Sequence, residues 1–176
     1  MRTWAMTTFC CLAVACWLPA SVADEDNMYF RGTLAEEPCT LAVEDQAIEL
    51  DFSSVSDKDL YLNRRTLARP IVLHLQSCDM SLGKRLVSIT FSGTESGELP
   101  GLLMLQGATT GVAIGLETAR GTALALNQLQ PLGELVSGDN LIGFSAYLQG
   151  EPEALDNRTI GLGALEASLT FALSYD

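Results

Sequence analysis

His74 is the only histidine in the sequence, so any serine or cysteine nucleophile activated by an imidazole would depend on it. It stands in Pro70–Cys78 (PIVLHLQSC), where alternation puts Ile71, Leu73 and Leu75 on one face and Val72, His74 and Gln76 on the other. On that less apolar face it reads as a surface or cross-strand residue, and no nucleophile motif accompanies it. The 22 Asp and Glu residues are plentiful, but no spacing singles out two of them for acid–base work. Gly-rich phosphate loops need a strand-to-helix setting that is missing. Asn157-Arg158-Thr159 matches a glycosylation acceptor, which has meaning only in a eukaryotic host. The residues therefore predict no catalytic site, no metal, no cofactor and no small-molecule substrate.

Cysteine chemistry depends on where the chain goes. Residues 1–23 hold Arg2, an apolar run from Phe9 to Leu18, and Pro19-Ala20-Ser21-Val22-Ala23, with small residues at the last and third-last positions. This is the pattern of a signal peptide removed after Ala23, with an apolar core too short to span a bilayer. Lipid attachment at Cys16 is disfavoured, because Ala13-Val14-Ala15-Cys16 lacks the leucine that lipoprotein signals favour. Cleavage removes Cys10, Cys11 and Cys16 and leaves Cys39 and Cys78. Two cysteines in an exported chain predict one structural disulfide, and a metal site would need more ligands. By the chain-entropy estimate, closing a loop of that length contributes about 4 kcal/mol.

Cleavage leaves 153 of the 176 residues, enough for one domain with a real core. The mature chain carries nine Lys and Arg against 22 Asp and Glu, a net charge of −13. Nucleic acid and anionic membrane both want a basic face, so neither is expected as a partner. The acidity serves solubility outside the cytoplasm.

The elements that would position any site are short and β-like. An alternating stretch begins at Met28, with Met28, Phe30, Gly32 and Leu34 on one side and Tyr29, Arg31 and Thr33 on the other, and Glu36-Glu37-Pro38 breaks it before Cys39. Strands are predicted at Thr40–Val43, Ala47–Phe52, Pro70–Cys78, Arg85–Ser92, Leu102–Gln106, Val112–Glu117 and Leu141–Gln149. Ser53–Arg69 is charged and irregular and reads as loop, and no helix longer than about two turns is supported. Turn residues such as Gly97, Pro100-Gly101, Gly121 and Pro131-Leu132-Gly133 separate the runs. Many short strands between turns predict an all-β, antiparallel sandwich without repeats or linkers.

The most amphipathic stretch is the last, GALEASLTFALSYD from Gly163 to Asp176. Leu165, Ala167, Leu169, Phe171, Leu173 and Tyr175 alternate with Glu166, Ser168, Thr170, Ala172 and Ser174, a half-buried strand pattern. Chain ends are usually frayed and polar. Something has to cover the apolar side of this strand.

These residues together resemble a known family. A glycine fourteenth from the end (Gly163), the alternating terminal run and a penultimate Tyr175 are similar to the terminal signature of pilins of the chaperone–usher pathway. Cys39 and Cys78 resemble the pilin cysteine pair, the second in a run of the form I-x-L-x-x-C, and an alternating arm precedes the first. The arm MYFRG, the segment ITFSGTESGELPG and the stretch EPEAL look closest to the minor linker (adaptor) subunits of P pili, of the PapK kind. The similarity spans the whole mature chain.

The resemblance implies an incomplete immunoglobulin-like β-sandwich that lacks its last strand and carries an N-terminal donor-strand arm. It implies a division into a signal peptide (1–23), a donor-strand extension (24–36) and a pilin domain (37–176). Met28, Phe30, Gly32 and Leu34 would be the donor residues, filling a neighbour's groove by β-augmentation. Gly163, Leu165, Ala167, Leu169, Phe171, Leu173, Tyr175 and Asp176 would form the acceptor groove and the strand gripped by a periplasmic chaperone, which also holds the terminal carboxylate. The implied partners are that chaperone, the outer-membrane usher and a neighbouring subunit on either side, in a fimbria on the bacterial surface reached through the periplasm. Within that frame the chain is expected to be a minor linker subunit, with a major rod subunit or a terminator as alternatives. Outside it, a stand-alone secreted β-sandwich binding module is the competing expectation, and a secreted hydrolase is poorly supported by a lone histidine.

Overall fold

The computed structural model describes Arg31 and residues 36–176. The predicted signal peptide and the donor residues Met28, Phe30, Gly32 and Leu34 lie outside the described residues. In chain order the elements are β1 (Thr40–Leu41), α1 (Asp57–Asn63), β2 (Arg69–Cys78), β3 (Leu86–Ser92), β4 (Leu103–Met104) and β5 (Gln106–Gly107). They continue as β6 (Val112–Thr118), β7 (Leu129–Glu134), β8 (Gly138–Gly150), α2 (Pro152–Asn157), β9 (Leu165–Glu166) and β10 (Thr170–Tyr175).

The strands form one sheet in the order β1-β2-β8-β6-β4, a second in the order β10-β3-β7, and a short β5-β9 ribbon. Every paired strand is antiparallel. Alternation explains which side each strand buries. Leu73 of β2, Ile89 and Phe91 of β3, and Phe144, Ala146 and Leu148 of β8 all point into one core. Phe91 meets Phe144 edge-to-face at 5.1 Å between ring centroids, one ring from each sheet. This is sandwich packing, as the short alternating runs predict.

Leu75 and Cys78 are three residues apart yet both are buried, which a regular strand cannot achieve. A bulge between them, with Ser77 at φ +52°, restores Cys78 to the inner face. There it bonds to Cys39, tying the chain before β1 to the end of β2. Leu75, Val87 and Leu135 pack around the pair in a second, smaller core. Loss of the bond by Cys39→Ser is expected to cost about 2–5 kcal/mol of unfolding free energy and to cut the yield of exported protein. Alkylation after denaturation of exported protein should label neither cysteine; two labelled thiols would contradict the structure.

Four details depart from the sequence pattern. Ser53–Arg69 is not all loop, because α1 occupies its middle with Ser56 at the N-cap, Asp57 and Asp59 in the first turn and Leu60 buried. Ala47–Phe52 keeps its alternation, with Ile48 and Leu50 less buried than Phe52, but it forms no strand ladder. The β7 strand went unread because Pro131 and Gly133 interrupt it, and Pro131 sits at an irregularity where the pairing with β3 shifts. The terminal run is split into β9 and β10 rather than continuous.

His74 sits on the outer face of β2, half-exposed, as alternation predicts. Its Nδ1 lies 2.9 Å from Oδ2 of Asp45, which is buried in a 3-10 turn, Val43–Asp45. Asp45 also accepts the His74 backbone N–H. The histidine thus ties the turn after β1 to β2.

Candidate functional site: an open apolar groove

The two ends of the sandwich sheets do not meet. β10 is an edge strand: one side pairs with β3 from Thr170↔Ser92 to Tyr175↔Val87, and the other side carries no ladder among the described residues. Ala47–Phe52, across the gap, likewise has no ladder partner. Two unpaired edges facing each other across an apolar floor define a slot for a strand.

Burial locates the opening. On β3, Val87, Ile89 and Phe91 are at most 1% exposed. Their partners on β10, Tyr175, Leu173 and Phe171, face the same way but are only partly buried. Leu165, Ala167 and Leu169 repeat this, each turned toward the core and incompletely covered, while Glu166, Ser168 and Thr170 are exposed. A row that points inward and stays uncovered has an empty space in front of it.

That space is a groove with two lobes. One, of about 960 Å³, runs between Ile48–Asp57 and Ile160–Ala167 with Val112, Ile114 and Leu148 as its floor. The other, of about 770 Å³, continues between Gln46–Leu50 and Ala167–Phe171 over Ile71, Phe91, Leu116 and Phe144. The lobes share Ile48–Leu50, Phe52, Ile114 and Ala167, so they form one channel. Its charged lining residues are Glu49, Asp51, Asp57 and Glu166.

The local sequence builds this wall in three steps. Gly163 holds φ +155°, and a Cβ there would stand 2.7 Å from the Ala108 Cβ. Its carbonyl accepts from Thr109 Oγ1 at 2.8 Å, fixing the start of the wall. β9 then pairs with β5 through Gln106↔Glu166 and Gly107↔Leu165. Residues 167–169 cross to the second sheet unpaired, because β3 ends at Ser92, opposite Thr170. At Gly93, next in the chain, a Cβ would stand 2.6 Å from the Leu103 Cδ1 and at an ordinary 3.5 Å from the Leu169 Cβ.

Of the residues predicted for the groove, Gly163, Leu165, Ala167, Leu169 and Phe171 line it. Leu173 and Tyr175 instead reach the smaller core around the disulfide. Burial pushes the Tyr175 hydroxyl pKa above its ordinary value, and the nearby Glu37 carboxylate adds to the shift. Asp176 exchanges backbone bonds with Leu86, its N–H donating at 3.0 Å and its carbonyl accepting at 2.8 Å. Its carbonyl also accepts the Arg85 N–H at 2.8 Å. The opposing wall at residues 46–57 was not read as part of the site. Its alternating AIELDF was the available signal, but an ordinary strand shows the same pattern. No group of three or more His, Cys, Asp or Glu among the described residues is placed to hold a metal ion.

A family model described as fimbrial protein matches residues 28–176. The fimbrial-like protein YfcP of Escherichia coli K12 is 34% identical over 157 residues, covering 87% of this chain and 85% of that protein. The fimbrial adapter PapK of Escherichia coli is 31% identical over 164 residues, covering 90% and 92%. Among solved structures, a chaperone–usher pilus matches with a TM-score of 0.71 at 21% identity, covering 90% of this chain and all of that one (100%). The P pilus rod subunit PapA matches with a TM-score of 0.68, also at 21% identity, covering 80% and 100%. These two likenesses speak to the fold, an immunoglobulin-like pilin sandwich. With its open slot, its terminal run and its relatives in view, the chain belongs to the fimbrial protein family, whose members are structural subunits and not enzymes.

Proposed function

We propose that this protein is a minor adaptor subunit of a bacterial adhesive fimbria, joined to its neighbours by strand donation at both ends. The observation that carries the reading is the apolar slot between β10 and residues 46–57, floored by core residues and open along its length. A neighbour's extended arm fits such a slot by pairing with the free edge of β10 while its alternate side chains fill the lobes. The chain's own segment 24–36 carries the matching pattern in Met28, Phe30, Gly32 and Leu34 and serves a neighbouring subunit, leaving 37–176 as the body. Fully extended, Met28–Leu34 spans about 20 Å, the same as the wall from Leu165 to Phe171. Gly32 suits a point where two backbones run close.

Before assembly the slot would be filled by a periplasmic chaperone, which also holds the carboxylate of Asp176, and the outer-membrane usher would exchange it for the incoming arm. The assembled subunit then lies in a surface fimbria. Strand donation from one copy to the next is head-to-tail and does not close, so it yields a fibre rather than a ring. The likeness to the adapter PapK across nine-tenths of the chain favours an adaptor over a rod subunit or a terminator.

Position within the fibre tests the assignment. Immunogold labelling of an epitope-tagged chain should give one site per fimbria at a junction between segments. Labelling along the whole shaft would make it a rod subunit, and overlong, shed fibres on its deletion would make it a terminator.

A further inference from the structure

The charge around the groove has one sign. Glu49 and Asp51 are exposed on one wall, Glu166 is exposed on the other, and Asp57 stands at the end of the first lobe. Among the described residues, no lysine or arginine lines either lobe. The two cations near that wall in sequence are placed elsewhere: Lys58 follows in α1, and the Arg69 guanidinium donates to the Phe52 carbonyl at 2.8 Å. Glu49, Asp51 and Glu166 alternate with Leu50, Phe52, Leu165 and Ala167, which are buried or half-buried while the carboxylates are exposed.

A strand lying in the slot presents its residues in the same alternation, apolar side chains inward and the others outward between Glu49 and Asp51 on one wall and Glu166 on the other. Outward neighbours on adjacent strands have Cβ atoms only about 5 Å apart, where opposite charges attract and like charges directly opposite repel. We propose that the rim of Glu49, Asp51 and Glu166 selects the incoming strand by charge. The slot takes a subunit arm whose outward positions carry a cation and rejects one whose outward positions are acidic. This rests on the slot being the acceptor of a neighbour's arm. The arm this chain carries offers a probe of that chemistry. In residues 24–57 the one cation is Arg31, and it falls at an outward position between Phe30 and Gly32.

The effect belongs to the rate of capture. Rim charges are solvated, so they steer an approaching strand more than they hold a seated one, and salt screens them. The experiment uses the full-length mature subunit bound to its periplasmic chaperone. Capped synthetic peptides of residues 27–35 (NMYFRGTLA), with Arg31 or with Arg31→Glu, compete for the slot, and the appearance of subunit–peptide complex is timed. At about 20 mM salt the Arg31→Glu peptide should be captured roughly ten times more slowly, and at about 0.5 M salt the two should agree within about twofold. Glu49→Gln and Glu166→Gln, both at exposed positions, should narrow the gap between the two peptides at low salt. Equal capture of the two peptides at both salt concentrations overturns the rim's role and leaves the acceptor reading standing. A Phe30→Asp peptide separates that reading: if it is captured as fast as the parent, the slot is not the acceptor of an alternating apolar arm.

Discussion

Phe171→Asp is expected to abolish recovery of this subunit with its chaperone, and Phe30→Asp to leave that recovery intact while blocking this subunit's own incorporation into the fibre. Phe171 pairs with Phe91 in the β10–β3 ladder and lines the second lobe of the groove. A carboxylate there is half-shielded in the empty slot and enclosed once a strand fills it. No cation lines the lobe to compensate, so the penalty is on the order of several kcal/mol unless the group protonates. That is comparable to the whole stability of a small domain. Under the proposed strand donation, the same substitution at Phe30 would place its charge in another molecule's groove instead. Co-purification with the chaperone and incorporation into fibres, measured on both variants, distinguish the two defects. Equal loss of chaperone binding in both would assign the arm to its own sandwich and end the strand-donor reading.

The contrast between these phenylalanines shows what the amino-acid order discloses and what it withholds. Period-two alternation marked the long strands β2, β3, β6 and β8, because burial on one face writes itself directly into residue type. The same alternation marked both walls of the groove. It could not say that the walls lack partners, since a strand edge left bare has the same inward and outward residues as one that is paired. Ala47–Phe52 is the clearest instance, strand-like in pattern and without a ladder. The partial exposure of Leu165, Leu169 and Phe171 beside the sealed Ile89 and Phe91 is a three-dimensional fact with no local signature. The break between β9 and β10 was hidden for a related reason: it is set by where β3 stops, some 78 positions earlier, opposite Thr170. Asp45 was likewise invisible as the partner of His74, because the hydrogen bond joins positions 29 apart. The resemblance to pilins supplied the missing relation, that a neighbouring molecule provides the absent strand.

The mature protein with its groove empty should be marginal, and filling the groove should raise its stability by an amount comparable to a whole fold. Met28, Phe30 and Leu34 of a donor arm would each contribute roughly 1.5–3 kcal/mol on burial, so the three together contribute about 5–9 kcal/mol. Domains of this size are stable by only about 5–15 kcal/mol in total. Removing such a contribution leaves little, and it also leaves the β10 edge bare for pairing with other chains. A single-chain test avoids the chaperone: residues 27–35 are appended after Asp176 through a short flexible linker. The Asp176 backbone is bonded to Arg85 and Leu86 on β3, so a turn placed there delivers the added strand to the open edge of β10, antiparallel to it. The appended protein should be a soluble monomer that unfolds cooperatively, with a midpoint at least about 10 °C above the unappended one, by the rule that about 1 kcal/mol shifts a domain of 150 residues by roughly 2–4 °C. The unappended protein should aggregate or persist only with a partner bound. An appended Phe30→Asp strand should lose most of the gain, because it keeps the backbone pairing and spoils the side-chain fit. If the unappended chain is itself a cooperatively folded monomer with the same midpoint, the groove needs no second strand and subunits of this kind are not joined through it.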